Sequence, residues 1–170
     1  MAWPPIICPL PVHIRHAEPR HTESSPDYPT GIAGGRTYGP DDSRSEAKAI
    51  NDTLGHFAGD DVLRRVAGAM QATTRLEDGT YRFGGEEFLA IVRLDGEDDA
   101  RAAAERIRLA VEALAIEHPG NPPFGVVTVS GGATVIDRTR LAESDDAWLR
   151  AADTAMYKAK RRGRNQTVVG

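Results

Sequence analysis

The chain has 170 residues, 40% of them hydrophobic and 27% charged, with a formal net charge of −4. That is material for one core and one domain, and it provides no basic field to attract nucleic acid. A single cysteine, Cys8, excludes an internal disulfide and a cysteine metal cluster and suits a reducing, cytoplasmic setting, and no run is long and apolar enough to span a membrane.

The first 48 residues hold eight of the 11 prolines and three of the five histidines, and they show no sustained helical or strand period. Met1 to Val12 is apolar, but Pro4, Pro5, Pro9 and Pro11 interrupt it and no basic lead-in precedes it, so it reads poorly as a signal peptide. A helix is expected over about 58–74, where Val62, Leu63, Val66 and Met70 recur on one face. A hairpin is expected over about 80–93, with Gly84-Gly85 as a tight two-residue turn and Glu86 and Glu87 directly after it. Because strand side chains alternate, those two carboxylates are expected on opposite faces, and the small glycines let a phosphate approach the backbone. A second long helix follows over about 97–117, with Ala103, Ile107, Val111 and Leu114 inward. Strands are expected within about 124–137, on either side of Ser130-Gly131-Gly132. The last helix, about 145–162, buries Leu149, Ala152, Met156 and Ala159, and a short strand lies near Gln166 to Val169. This alternation predicts an α/β sandwich in which a mixed, largely antiparallel sheet is covered by helices.

Gly84-Gly85-Glu86-Glu87-Phe88 resembles the signature of the GGDEF family, the bacterial diguanylate cyclase domains, in its Glu-for-Asp form. Alone, it reads equally well as a good turn and a solvated strand start. Three more segments resemble the family at compatible spacings: Ile50 to Leu63, Arg75-Leu76-Glu77-Asp78, and Trp148 to Asn165. The resemblance implies a ferredoxin-like palm related to that of adenylyl cyclases. It implies a homodimer whose apposed domains each hold GTP with Mg²⁺ and condense the pair into cyclic di-GMP, releasing pyrophosphate. It also implies roles: Glu86 as metal ligand, Glu87 assisting at the metal or the attacking hydroxyl, and Asn51 and Asp60 on guanine. Lys48, Lys160 and Arg164 join Gly84 and Gly85 as substrate-binding residues, and Arg75 with Asp78 form an inhibitory cyclic di-GMP site.

Each role has a plainer counterpart. Asn51, Asp52 and Asp60 are favoured turn and N-cap residues. Arg75 and Asp78 have the spacing of a simple ion pair. Lys160 and Arg164 sit where cations complement a helix macrodipole, with Gly163 as the stop.

The resemblance begins only near residue 49, so the chain divides into an atypical segment, 1–48, and a GGDEF domain, 49–170. Family members carry a DxDxFK motif at the end of their first strand. With Lys48 as its lysine, the aromatic position holds Ala47 and the two aspartate positions hold Ser43 and Ser45. The first of those aspartates is a metal ligand in the family, and a neutral serine neither offsets the charge nor ligates as well. Asp41 could reach the same face by a two-residue slip, whereas Asp42 would need a one-residue slip that flips every side chain. Without a first strand, its neighbours would lose ladder partners. The Pro, Arg, Ser, His and Gly bias of the segment fits a shifted reading frame in a GC-rich gene, with a divergent N-terminus as the rival; translating the genomic region in every frame separates them. Three functions stay open: a diguanylate cyclase, a catalytically inactive module that binds cyclic di-GMP through Arg75 and Asp78, and a non-functional fragment or dimerisation surface.

Overall fold

The computed structural model describes residues 15–16, 30–37, 56–76, 78–84, 86–137, 140 and 142–170. In chain order the elements are β1 (Arg15–His16), β2 (Thr30–Thr37), α1 (His56–Thr73), β3 (Gly79–Gly84), β4 (Glu87–Arg93), α2 (Glu97–Glu112), β5 (Val129–Ile136), α3 (Asp145–Arg161) and β6 (Thr167–Val169). One six-stranded sheet runs β1-β3-β4-β2-β5-β6. The β1/β3 and β5/β6 pairs are parallel and the other three antiparallel, the mixed sheet that the alternation of elements predicts.

The core lies between the sheet and the pair α1 and α2. Val62, Leu63, Val66 and Met70 of α1 pack with Ala103, Ile107 and Val111 of α2 over Phe88, Ala90 and Val92 of β4. These are the inward stripes read from the 3.6-residue period. The opposite face carries α3, whose N-cap Ser144 accepts a hydrogen bond from Ala147 N at 3.3 Å. Ala152 packs with Ile136, and Ala155 and Ala159 with Val168.

Three expectations change. No strand period was legible in the first 48 residues, yet β2 occupies the centre of the sheet, paired with β4 from Thr30 to Arg36 and with β5 from Thr30 to Thr37. Its sequence, Thr-Gly-Ile-Ala-Gly-Gly-Arg-Thr, is too poor in large side chains to show alternation, and it becomes a strand through its two neighbours' hydrogen bonds. Ser130-Gly131-Gly132 is likewise no break but the middle of β5. A Cβ on Gly132 would run into the carbonyl oxygen of Ala152 and the amide nitrogen of Met156, so the missing side chain lets α3 lie directly on the sheet. The helix expected to reach about residue 117 ends at Glu112. Ala115 takes a left-handed φ of 46°, and Glu117 bridges Val126 instead.

Candidate active site at the hairpin end of the sheet

The topology gathers charged residues at one end of the sheet. Strand β3 runs towards the hairpin tip, and β2, antiparallel to β4, finishes there with Arg36 opposite Glu87. Strand β5 starts at that end, since Val129 is the partner of Thr37, and finishes at the other. Helix α3 leaves from the far end and returns, so its last turn, with Lys160, and the following Arg164 come back to the tip end, where β6 sets off with Thr167 beside Gly131. Helix α1 ends shortly before β3 begins and therefore has its first turns, with the exposed Asp60, towards the same end. Glu86, Glu87, Asp60, Lys160 and Arg164, scattered over a hundred residues of sequence, thus converge on one end of the fold. Lys48, Asn51 and Gly85 lie outside the described residues, as do Asp41, Asp42, Ser43 and Ser45.

At the tip, Gly84 pairs with Glu87 and the register shifts between Arg82 and Gly84. Gly84 therefore belongs to the ladder, paired with Glu87, and not to the turn as expected, because the register shifts before it. Glu86, in the turn just before β4, is 6% exposed. Half-buried Glu87 lies on the α3 face, where it lines a cavity of about 440 Å³ with Phe83, Leu89, Asp146, Arg150 and Asp153 among others.

Beyond Lys160, the chain turns through three consecutive left-handed residues: Gly163 (φ 111°), Arg164 (φ 64°) and Asn165 (φ 42°). Arg164 N donates to Ala159 O at 3.2 Å, which closes the helix. The Nε of Arg164 is buried and has no hydrogen-bond partner among the described residues, an N–H donor without an acceptor.

Arg75 and Asp78 are at the other end, between α1 and the start of β3. Both oxygens of Asp78 are engaged by the backbone: Oδ2 accepts from Arg75 N at 2.7 Å and Oδ1 from Arg93 N at 3.1 Å. Asp78 N donates back to Arg75 O at 3.1 Å, and the Arg75 side chain is exposed. Asp78 thus has a structural task, tying the turn to the end of β4, that spacing alone did not show.

The donor chemistry at the tip suits one hard cation. Mg²⁺ binds through one or two carboxylates, with water and substrate phosphate completing its shell, and buried Glu86 is such a carboxylate. Among the described residues no group of three or more His, Cys, Asp or Glu side chains gathers, and β2 carries no acidic residue to the tip. Among the described residues, too, no helix is long and apolar enough to cross a membrane.

The family model described as "Diguanylate cyclase, GGDEF domain" matches residues 45–166. Over 122 residues, 72% of this chain, the sequence is 38% identical to diguanylate cyclase DgcP of Pseudomonas aeruginosa and covers 17% of that protein. It is 39% identical over 121 residues, 71% of this chain, to diguanylate cyclase DgcZ of Escherichia coli and covers 39% of it. The chain therefore spans well under half the length of these curated relatives. Among solved structures, the GGDEF domain of DgcB from Caulobacter crescentus in complex with c-di-GMP is similar with a TM-score of 0.68 and 29% identity, over 84% of this chain and 78% of that one. Diguanylate cyclase SiaD of Pseudomonas aeruginosa, in complex with its activator SiaC, matches with a TM-score of 0.68 and 34% identity, over 84% and 50%. The likeness in structure reaches further along the chain than the likeness in sequence.

Proposed function

Because the chain belongs to the GGDEF family of diguanylate cyclase domains and has its palm-like α/β fold, we propose that it binds GTP at the hairpin end of the sheet and, as a homodimer, condenses two GTP into cyclic di-GMP. The observation that carries this is the convergence of Glu86, Glu87, Asp60, Lys160 and Arg164 on that end. Asp60, with Asn51, accepts from and donates to the edge of guanine. Lys160 and Arg164 meet the triphosphate, where Arg164 Nε finds the acceptor it lacks. Gly84 and Gly85 leave the backbone open to the phosphates, and Lys48 adds a further cation. The cavity along α3 is not the phosphate seat, since three carboxylates against one guanidinium line it.

In each half-reaction the 3′-oxygen of one GTP attacks the α-phosphorus of the other. A new P–O bond forms, the bond to pyrophosphate breaks, and pyrophosphate leaves; Glu87 or water takes the hydroxyl proton. Repetition in the opposite sense closes the ring. Glu86 would hold Mg²⁺, which when bound offsets triphosphate charge and polarises the phosphoryl group. Lys160 and Arg164 orient the phosphates and stabilise the charge that develops on the leaving group.

The test is incubation of the purified chain with GTP and Mg²⁺, quantifying cyclic di-GMP and pyrophosphate beside a Glu86→Ala/Glu87→Ala control. Product that disappears in the control supports the reading. A folded chain that yields none removes the enzyme and leaves the second reading: an inactive module that binds cyclic di-GMP. The exposed Arg75, held out by the Asp78 turn, favours that reading at the opposite end of the sheet. Arg75→Ala binding cyclic di-GMP as well as the parent would dismiss it.

A further inference from the structure

We propose that Asn165 is a positioning residue for Arg164, held in place by Arg108 and Glu112 of α2. This rests on reading Arg164 as a phosphate ligand. Asn165 Oδ1 accepts from Arg108 Nη1 at 2.8 Å, and its Nδ2 donates to Glu112 Oε1 at 2.7 Å. Arg108 Nη1 also donates to Glu112 Oε2 at 2.7 Å, which closes a ring of three side chains. The ring admits one orientation of the amide, because reversal would set the NH₂ against a guanidinium and the carbonyl oxygen against a carboxylate.

Arg108 is 8% exposed and is fixed a second time by its Nε, which donates to Glu105 Oε1 at 2.8 Å. Glu105 in turn accepts from Thr167 Oγ1 at 3.3 Å, so α2 grips the chain on both sides of Gln166. The hydrogen bonds from Arg108 and Asn165 hold the Glu112 carboxyl below its usual range, so it stays ionised at neutral pH.

The residue type follows from the backbone. Position 165 must tolerate a left-handed φ of 42° and also present one acceptor and one donor to α2. Asparagine does both; glycine provides only the backbone, and glutamine or aspartate lacks one requirement or the other. Arg164 has its own left-handed φ of 64° and lies between Gly163, which adds no restraint, and Asn165, which is clamped. The clamp therefore decides where the Arg164 guanidinium stands, and with it where the unpartnered Nε is aimed.

The experiment compares GTP with guanosine, which has no phosphates, as ligands of the full chain in Mg²⁺ by calorimetry. Asn165→Gly keeps the backbone freedom and removes the clamp; it is expected to raise the Kd for GTP about tenfold and to leave that for guanosine unchanged. Arg164→Ala should do the same, and the double variant should be no weaker than Arg164→Ala alone. Glu112→Ala removes the acceptor from the α2 side and should reproduce Asn165→Gly, which keeps the test available if one variant fails to fold. GTP binding unchanged in Asn165→Gly and Glu112→Ala, or effects of Asn165→Gly and Arg164→Ala that simply add, overturns the positioning role while Arg164 remains a phosphate ligand. GTP binding unchanged in Arg164→Ala, or absent in the parent, defeats the reading of Arg164 and this proposal with it.

Discussion

Gly132→Ala tests the contact that carries α3, and through α3 the cations at the hairpin end. A methyl group at position 132 would meet Ala152 O and Met156 N, and would stand 2.9 Å from Met156 Cα. All three are backbone atoms of α3, so no side chain can rotate away and the helix itself must lift. Overpacking a tight core costs about 1–3 kcal/mol, and an obstacle made of backbone belongs at the top of that range, about 3 kcal/mol. For a chain of this size each kcal/mol lowers Tm by about 2–4 °C, so a fall of roughly 6–12 °C is expected. Urea unfolding followed by circular dichroism measures the loss, with Gly68→Ala as the control. Gly68 lies within α1 and its Cβ would meet nothing within 4 Å, so alanine there should stabilise by about 1 kcal/mol through helix propensity. A Gly132→Ala variant within about 0.5 kcal/mol of the parent would refute the packing of α3 on β5.

Asn121→Ala should destabilise by about 1–3 kcal/mol. The amide is 2% exposed and its Nδ2 donates to Val126 O at 2.7 Å and Thr128 Oγ1 at 3.1 Å, so truncation strands a buried carbonyl; a urea titration reads the change. His118 is 3% exposed, its Nε2 is buried without a partner among the described residues, and burial pushes its pKa below the usual 6.5. The unfolded chain therefore takes up the proton more readily, so this contribution is complete above the unfolded pKa and falls as pH drops below about 6.5 towards the folded pKa. His118→Leu should flatten the pH dependence of the urea midpoint between about pH 7 and pH 5, with a slope per site no greater than about 1.4 kcal/mol per pH unit. Thr37→Asp introduces a carboxylate at the end of β2, at the position paired with Val129, at the end of the sheet where Glu86 lies. It should raise the initial rate of cyclic di-GMP formation by about tenfold or more; an unchanged rate would show that a second acid is not what limits turnover.

The helices were legible because each buries a stripe at helical spacing, and the hairpin because β-branched and aromatic residues flank its glycines. What escaped reading shares one cause: the deciding partner lies elsewhere in the chain. Gly31, Ala33, Gly34 and Gly35 leave β2 no alternation of its own, and its place comes from the ladders offered by β4 and β5. Gly131 and Gly132 look like a turn until α3 is laid across them. The alanine-rich end of α2 looks able to continue, but Ile116 and Glu117 are claimed by the backbone of Val126 and Val127. The convergence of Glu86, Asp60, Lys160 and Arg164 was expected from resemblance, not from spacing. The clamp on Asn165 gave no signal, because Arg108 lies 57 residues away in sequence and sits beside the buried Ile107 as though it were part of the solvated face. A charged residue adjoining a buried stripe, four residues before an acidic one, is the pattern that could have found it.

The two candidate sites occupy opposite ends of one hairpin, which constrains how they can influence each other. Six residues of β3 at about 3.3 Å each separate them by roughly 20 Å, so a cyclic di-GMP molecule at Arg75 would not touch GTP at Glu87. At one end of β4 stands Glu87; at the other, the amide of Arg93 is tied to Asp78. A ligand that draws the Asp78 carboxylate towards itself must release Arg75 N or Arg93 N, and so acts on the strand whose far end carries a carboxylate of the proposed site. Any coupling must be reciprocal, so GTP held at the tip would change the affinity for cyclic di-GMP at Arg75 by the same factor. Asp78→Asn keeps one acceptor oxygen and loses the charge that holds both amides. It should therefore weaken the coupling between the two ligands more than it weakens GTP binding itself, a distinction that calorimetric titration of each ligand in the presence of the other can draw.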